Sequence, residues 1–261
     1  MFRSLATAAS GMEAQQIKLD VTAHNIANVS TNGYKKERAE FADLIYQTMR
    51  PAGAPTGNGA NAPSGTEIGL GVRLASTGRE LGQGEMHHTN NPLDVAIEGK
   101  GYLAVTMPSG ETAYTRNGAL QLSSEGKLVT ADGFALAGDI TIPPEATAVA
   151  IATDGTISGT VPGQTQPVTF GQLQIATFTN PGGLAAQGST LFRETSASGT
   201  AVTGNPGEGG AGVLRQGMIE VSNVNVVEEM IDLITGQRAY EINSRAIKAA
   251  DEMLGETAQL R

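Results

Sequence analysis

The stretch Ser222–Ile247 reads SNVNVVEEMIDLITGQRAYEINSRAI, and its pattern decides one end of the fold. Ser222 and Asn225 are both suited to capping a helix, and Asn225 followed by Glu228 imitates a capping box. Behind the cap lies a broad apolar face of Val226, Val227, Met230, Ile231, Leu233 and Ile234. Past Gly236 the face narrows to Ala239, Ile242, Ala246, Ala249, Met253 and Leu260, at three- and four-residue spacing. Roughly 36 residues rising about 1.5 Å each make a rod of about 50 Å, long for a globular helix and suited to a coiled-coil leg.

The opposite end of the chain reads the same way. Ser4–Val29, SLATAASGMEAQQIKLDVTAHNIANV, has no proline and only Gly11 as a weak point. Leu5, Met12, Leu19 and Ile26 recur every seven residues, and the small residues Ala9 and Ala23 accompany them. That is a heptad seam for a helix that approaches its partners closely. Gln16 interrupts a second apolar row, and Asn32-Gly33 provides the stop. Four large seam residues are too few to offset the ordering of so long a backbone, so partners must complete the helix.

Between the ends the period changes. Residues 50–66, RPAGAPTGNGANAPSGT, predict an extended connector. Short β-prone runs follow: Leu93–Ile97, Tyr102–Met107, Leu120–Leu122, Lys127–Thr130, Val149–Ile151, Val168–Phe170 and Leu173–Phe178. Ser109-Gly110, Asn117-Gly118, Glu125-Gly126, Asp132-Gly133 and Asp154-Gly155 supply tight-hairpin residues between them. The expected fold is α+β: terminal α-helices pairing as a coiled-coil-like leg, with an antiparallel β-rich middle domain. Its expected segments are 1–49 (first helix and following segment), 50–66 (connector), 67–217 (β-rich domain) and 218–261 (second helix).

Composition narrows the function. The net charge of −9 argues against nucleic acid, whose phosphates need Lys and Arg. Residues 1–65 carry six Lys/Arg against five Asp/Glu, whereas 218–261 carry four against eight, an asymmetry that favours pairing of the ends. Without cysteine the chain has neither disulfides nor thiolate metal sites. Met1–Gln16 lacks a continuous apolar core, so a cleaved secretory signal is not expected. No run approaches the ~18 apolar residues of a membrane span.

Candidate chemistry is sparse. Gly207-Glu-Gly209-Gly-Ala-Gly212 matches G-x-G-x-x-G by letter, but Val213–Glu220 after it reads as a strand, where a phosphate cradle needs a helix. Gly57-Asn-Gly59 fails for the same reason, and both read as turns. His24 reads as a packing or helix-end residue. His87 and His88 would point to opposite faces of a strand, with no further ligands at metal spacing. Glu228-Glu229 suits the helix dipole better than catalysis. Gln237–Glu241 reads as a polar interface block, with a solvated helix face as the plainer alternative. No catalytic residue, cofactor or metal is expected.

Several blocks resemble the flagellar axial proteins, the rod and hook family. They are SGMEAQQ (Ser10–Gln16), LDVTAHNIANVSTNGYKK (Leu19–Lys36), NPLDVAIEGKGYLAV (Asn91–Val105), AYTRNGALQLSSEGKLVTADGFAL (Ala113–Leu136) and Ser222–Ile247 itself. YQTMRPAGAP (Tyr46–Pro55) with PSGTEIGLGV (Pro63–Val72) is similar to the distal-rod branch of that family.

The resemblance implies a non-enzymatic subunit, exported unfolded through the flagellar type III apparatus without a cleaved signal. It implies a helical tube spanning the periplasm, with the helices inside and the β domain outside, transmitting torque from motor to hook. Expected partners are copies of itself, proximal rod subunits, hook or hook-junction proteins, surrounding ring proteins and the export apparatus, without nucleic acid or membrane insertion. The implied assembly interface is Leu5, Met12, Leu19, Ile26, Asn28, Ile231, Ile234, Tyr240, Ile242, Ala246 and Met253. Alternatives are a proximal-rod or hook-type subunit of the same family, a cell-wall-cleaving enzyme, which would need a carboxylate pair in a cleft, and an adhesive surface protein.

Overall fold

In a computed structural model the fold is α+β, and the structure describes residues 2–56, 60–61, 63–138, 140–163 and 166–259. Leu260 and the Gly57-Asn-Gly59 turn lie outside the described residues. The chain divides into two compact units, one of residues 1–26, 37–78 and 225–261, the other of residues 27–36 and 79–224.

The first unit holds both long helices, α1 (Phe2–Ala27) and α2 (Val226–Gln259). Asn225 starts α2: its side-chain oxygen accepts the Val227 amide at 3.1 Å, and its carbonyl accepts the Glu229 amide at 3.0 Å. Asn225→Ala should therefore cost about 1 kcal/mol, read as a lower midpoint in urea unfolding of the full-length chain; an unchanged midpoint would show the cap to be idle.

A β ribbon completes this unit. Glu37–Asp43 pairs with Val72–Arg79, Tyr46–Arg50 with Thr66–Gly69, and Pro55–Thr56 with Ala60–Asn61, the last two pairings antiparallel. The stretch expected to be a plain connector thus contributes strands to a ribbon, and residues 67–78 group with the helices rather than with the β domain. The reason is pairing: Val72–Arg79 has its strand partner in Glu37–Asp43.

The second unit is built on antiparallel strands. Its main sheet runs Leu120–Leu122, Leu128–Thr130, Ala135–Leu136, Tyr102–Thr106, Thr112–Thr115, Leu191–Arg193, Ala185–Gly188, and Ile175–Thr177 joins it beside Tyr102–Thr106. Ala148–Ile151, Thr156–Thr160 and Val168–Gln172 form a further sheet. One apolar core gathers Val95, Ile97, Leu103, Val105, Leu120 and Ile157, all at most 1% exposed. Beside it Tyr102, Tyr114, Phe178 and Phe192 pack edge to face, with centroids 4.8–5.9 Å apart.

Four of the five X-Gly pairs make hairpin turns, with positive φ at Gly110, Gly126, Gly133 and Gly155. Asn117-Gly118 does not. Gly118 instead lies flat against Val95, accepting its amide at 2.9 Å. Gly207–Gly212 is a tight loop followed by the strand Val213–Gln216. The second unit keeps the chain as far as Val224, so Met218–Glu220 pairs with Met86–His88 rather than starting a helical segment at 218.

Candidate assembly site

The two helices pack antiparallel. Gly11 meets Asn243 and Gly236 meets Leu19, and in each case an added Cβ would come within 3.0 Å of the opposing side chain. Small residues at these points let the helices approach closely. Along α2 the residues turned toward this contact include Glu229, Leu233, Gly236, Ala239, Asn243, Ile247 and Ala250, each buried or half-buried. Polar ties fix the register. Lys18 Nζ lies 2.9 Å from Asp232 Oδ1, and buried Asn25 donates to Glu229 Oε2 at 3.1 Å and to the Glu37 carbonyl at 2.8 Å.

Leu5, Met12, Leu19 and Ile26 are all half-buried on α1. Asn28, in the turn after the helix, accepts the Thr31 hydroxyl at 3.1 Å. The six residues expected on α2 are exposed. Ile231, Ile234, Tyr240, Ile242, Ala246 and Met253 all face outward, with Ile231 60% and Ile242 64% exposed. Val227 and Met230 add to this outward row, at 66% and 54%. Sequence reasoning merged two faces of α2 into one: Leu233, Gly236, Ala239, Ile247 and Ala250 turn toward α1, whereas Ile231, Ile234, Ile242 and Met253 are left on the surface.

The β ribbon repeats the theme, because Phe41, Ile45, Tyr46, Met49, Ile68, Leu70 and Leu74 are exposed along it. These residues were not singled out in the sequence, although the β-prone composition of Tyr46–Arg50 was a usable signal. So many exposed large apolar side chains are more than a surface of scattered apolar residues carries, and they suit contact with a partner.

The second unit holds a buried charge cluster that the sequence did not announce. Glu220, fully buried, is gripped by Lys35 Nζ at 2.5 Å and Arg116 Nε at 2.6 Å, and the Gly84 amide donates to Oε1 at 2.9 Å. Arg116 also donates to the carbonyls of Ile97, Gly99 and Gly101, and Lys35 to that of Gly82. Burial alone would raise the Glu220 pKa; Arg116 and Lys35 overcome it and hold the carboxyl below its usual range. Burial pulls Lys35 down despite Glu220. Among the described residues no group of three or more His, Asp or Glu could hold a metal, and no helix is long and apolar enough to cross a membrane.

Paired terminal helices with an uncovered apolar row, in a chain whose β unit closes on its own core, are the features of a structural assembly subunit. Known proteins make the class specific. Residues 5–35 match the family description "Flagella basal body rod protein", 96–159 "Flagellar hook protein FlgE/F/G D1 domain" and 215–260 "Flagellar basal body rod FlgEFG protein C-terminal". The flagellar basal-body rod protein FlgG of Caulobacter vibrioides is 49% identical over 99% of each chain. The FlgG proteins of Borreliella burgdorferi and Bacillus subtilis are 46% and 40% identical, again over essentially the full length of both chains. The chain belongs to the flagellar basal-body rod family.

Proposed function

We propose that the chain is a structural subunit of the distal flagellar rod, polymerising into a helical tube that carries torque from motor to hook. The observation that carries this reading is the outward row Val227, Met230, Ile231, Ile234, Ile242 and Met253, an apolar stripe on α2 left over after α1 is paired. Head-to-tail contacts between copies, which do not close, cover such a stripe and generate a filament. In the tube, the segment expected as 218–261 and the first helix form the inner wall, and the β-rich domain faces outward. The neighbours are other copies and, at the ends, proximal rod and hook or hook-junction proteins, with ring proteins around it. Full-length likeness to rod proteins supports a non-enzymatic role and residence in the basal body. Export through the flagellar type III apparatus without a cleaved signal belongs to the same reading.

The test is charge placed on the stripe. Ile231→Asp with Ile242→Asp changes two largely exposed side chains, so monomer stability should move by no more than about 0.5 kcal/mol per site. The concentration needed for ordered polymers, followed by sedimentation and negative-stain microscopy, should rise about a hundredfold or more, since each of the two buried carboxylates at an interface costs over ~1.4 kcal/mol, or about tenfold. A double variant that polymerises like the parent chain would sink the assignment of this stripe.

A further inference from the structure

Four of the eight Lys and Arg residues of the second unit gather at one place. The unit is part of an acidic chain, yet Lys35, Arg79, Lys100 and Arg116 surround Tyr102 or line the cleft it borders. That cleft, about 670 Å³, has Lys35 and Arg116 in its wall with exposed Lys100, the rings of Tyr102 and Phe178, and the loop at Gly209-Gly210. Its volume is that of a small-ligand site.

Charge at the cleft is unbalanced. Lys35 and Arg116 are both buried and share the single carboxylate of Glu220, leaving one positive charge in excess away from water. Lys100 adds another, and among the described residues its ammonium makes no hydrogen bond or ion pair. The backbone amides of Gly209 and Gly210, both at positive φ, likewise donate no hydrogen bond among the described residues. Successive free amides in such a turn make an anion-binding concavity. Most donors of Lys35 and Arg116 are already committed to Glu220 and to carbonyls. With those spent, Lys100 and the two glycine amides are the main donors left at the cleft, a small set that suits the two oxygens of a carboxylate better than the three of a phosphate, and the rings and Leu81 suit an apolar body.

We propose that this cleft binds a small carboxylate carried on an aromatic or apolar body, with Lys100 and the Gly209-Gly210 amides receiving the charged group. The site is independent of the rod reading, because all its residues belong to the β unit.

The probe is benzoate, with neutral benzamide of the same shape and inorganic phosphate as comparisons, added to the full-length monomer at constant ionic strength. Benzoate should shift the Gly209 and Gly210 amide resonances saturably, with a Kd of about 1 mM or tighter. Benzamide should not. Lys100→Ala should weaken benzoate about fivefold or more without altering the unfolding midpoint, because Lys100 is exposed. Equal responses to benzoate and benzamide, no saturation, or unchanged affinity in Lys100→Ala would overturn the site. Tighter binding of phosphate than of benzoate would overturn the carboxylate assignment.

Discussion

Glu220→Ala is expected to destabilise the full-length chain by about 3–5 kcal/mol, measured by urea unfolding. The side chain is fully buried and, among the described residues, is the only carboxylate held by either Lys35 or Arg116. Its loss leaves two buried cations uncompensated and the Gly84 amide without its acceptor. Glu220→Gln keeps the shape and tests charge alone, so it should recover only part of the loss. Lys18→Ala is the matching control: its pair with Asp232 is more than a third exposed on both sides, and its removal should cost about 0–1 kcal/mol. A loss for Glu220→Ala no larger than the control would show that the cluster is not a fixed point of the fold.

The same residue sets an acid limit. Because the folded Glu220 pKa lies below its unfolded value, the folded state binds this proton less readily. Its stabilising contribution is complete above the unfolded carboxyl pKa and is lost as pH falls through the lower, folded one. Stability of the parent chain should therefore drop on acidification below about pH 4.3, the ordinary Glu value, and Glu220→Gln should flatten that drop.

Gly118→Ala should be comparably severe, roughly 3–5 kcal/mol, by forcing atoms into a filled site. An added Cβ would lie 1.6 Å from the Val95 carbonyl oxygen and 2.7 Å from its carbon. Both are backbone atoms of a residue with no exposed surface, so neither can swing aside. Gly204→Ala, with nothing within 4 Å of the new methyl, should be almost neutral by the same thermal or urea measurement. Equal stability of the two variants would show that the chain at Gly118 relaxes freely.

The two long helices were legible because heptad spacing and the Asn225 cap are local signals. Hairpin turns at Gly110, Gly126, Gly133 and Gly155 were legible for the same reason. Gly118 was misread as a turn because its constraint comes from Val95, a neighbour only in space. On α2 the sequence showed apolar residues but not which of them met α1. Close helix approach selects Gly236 and Ala250 over Ile231 and Ile242, and that choice depends on interhelical distance. The Glu220 cluster was invisible because its partners lie 185 and 104 residues away in sequence. The one available hint was a lone carboxylate in the otherwise strand-like Val213–Glu220 and a lone arginine in AYTRNGAL.

The strand Val95–Glu98 has a kinetic meaning beyond its place in the core. Its residues Val95, Ala96 and Ile97 are almost wholly buried, and its ladder partner is Val213–Gln216. More than a hundred residues separate the two strands, so the contact order of this pairing is high and its formation late. A chain emerging from its N-terminus presents the apolar strand long before its mate exists. Until residues 213–220 arrive, that strand is an open edge for aggregation, and a chaperone or confined channel that shields it would act in this interval.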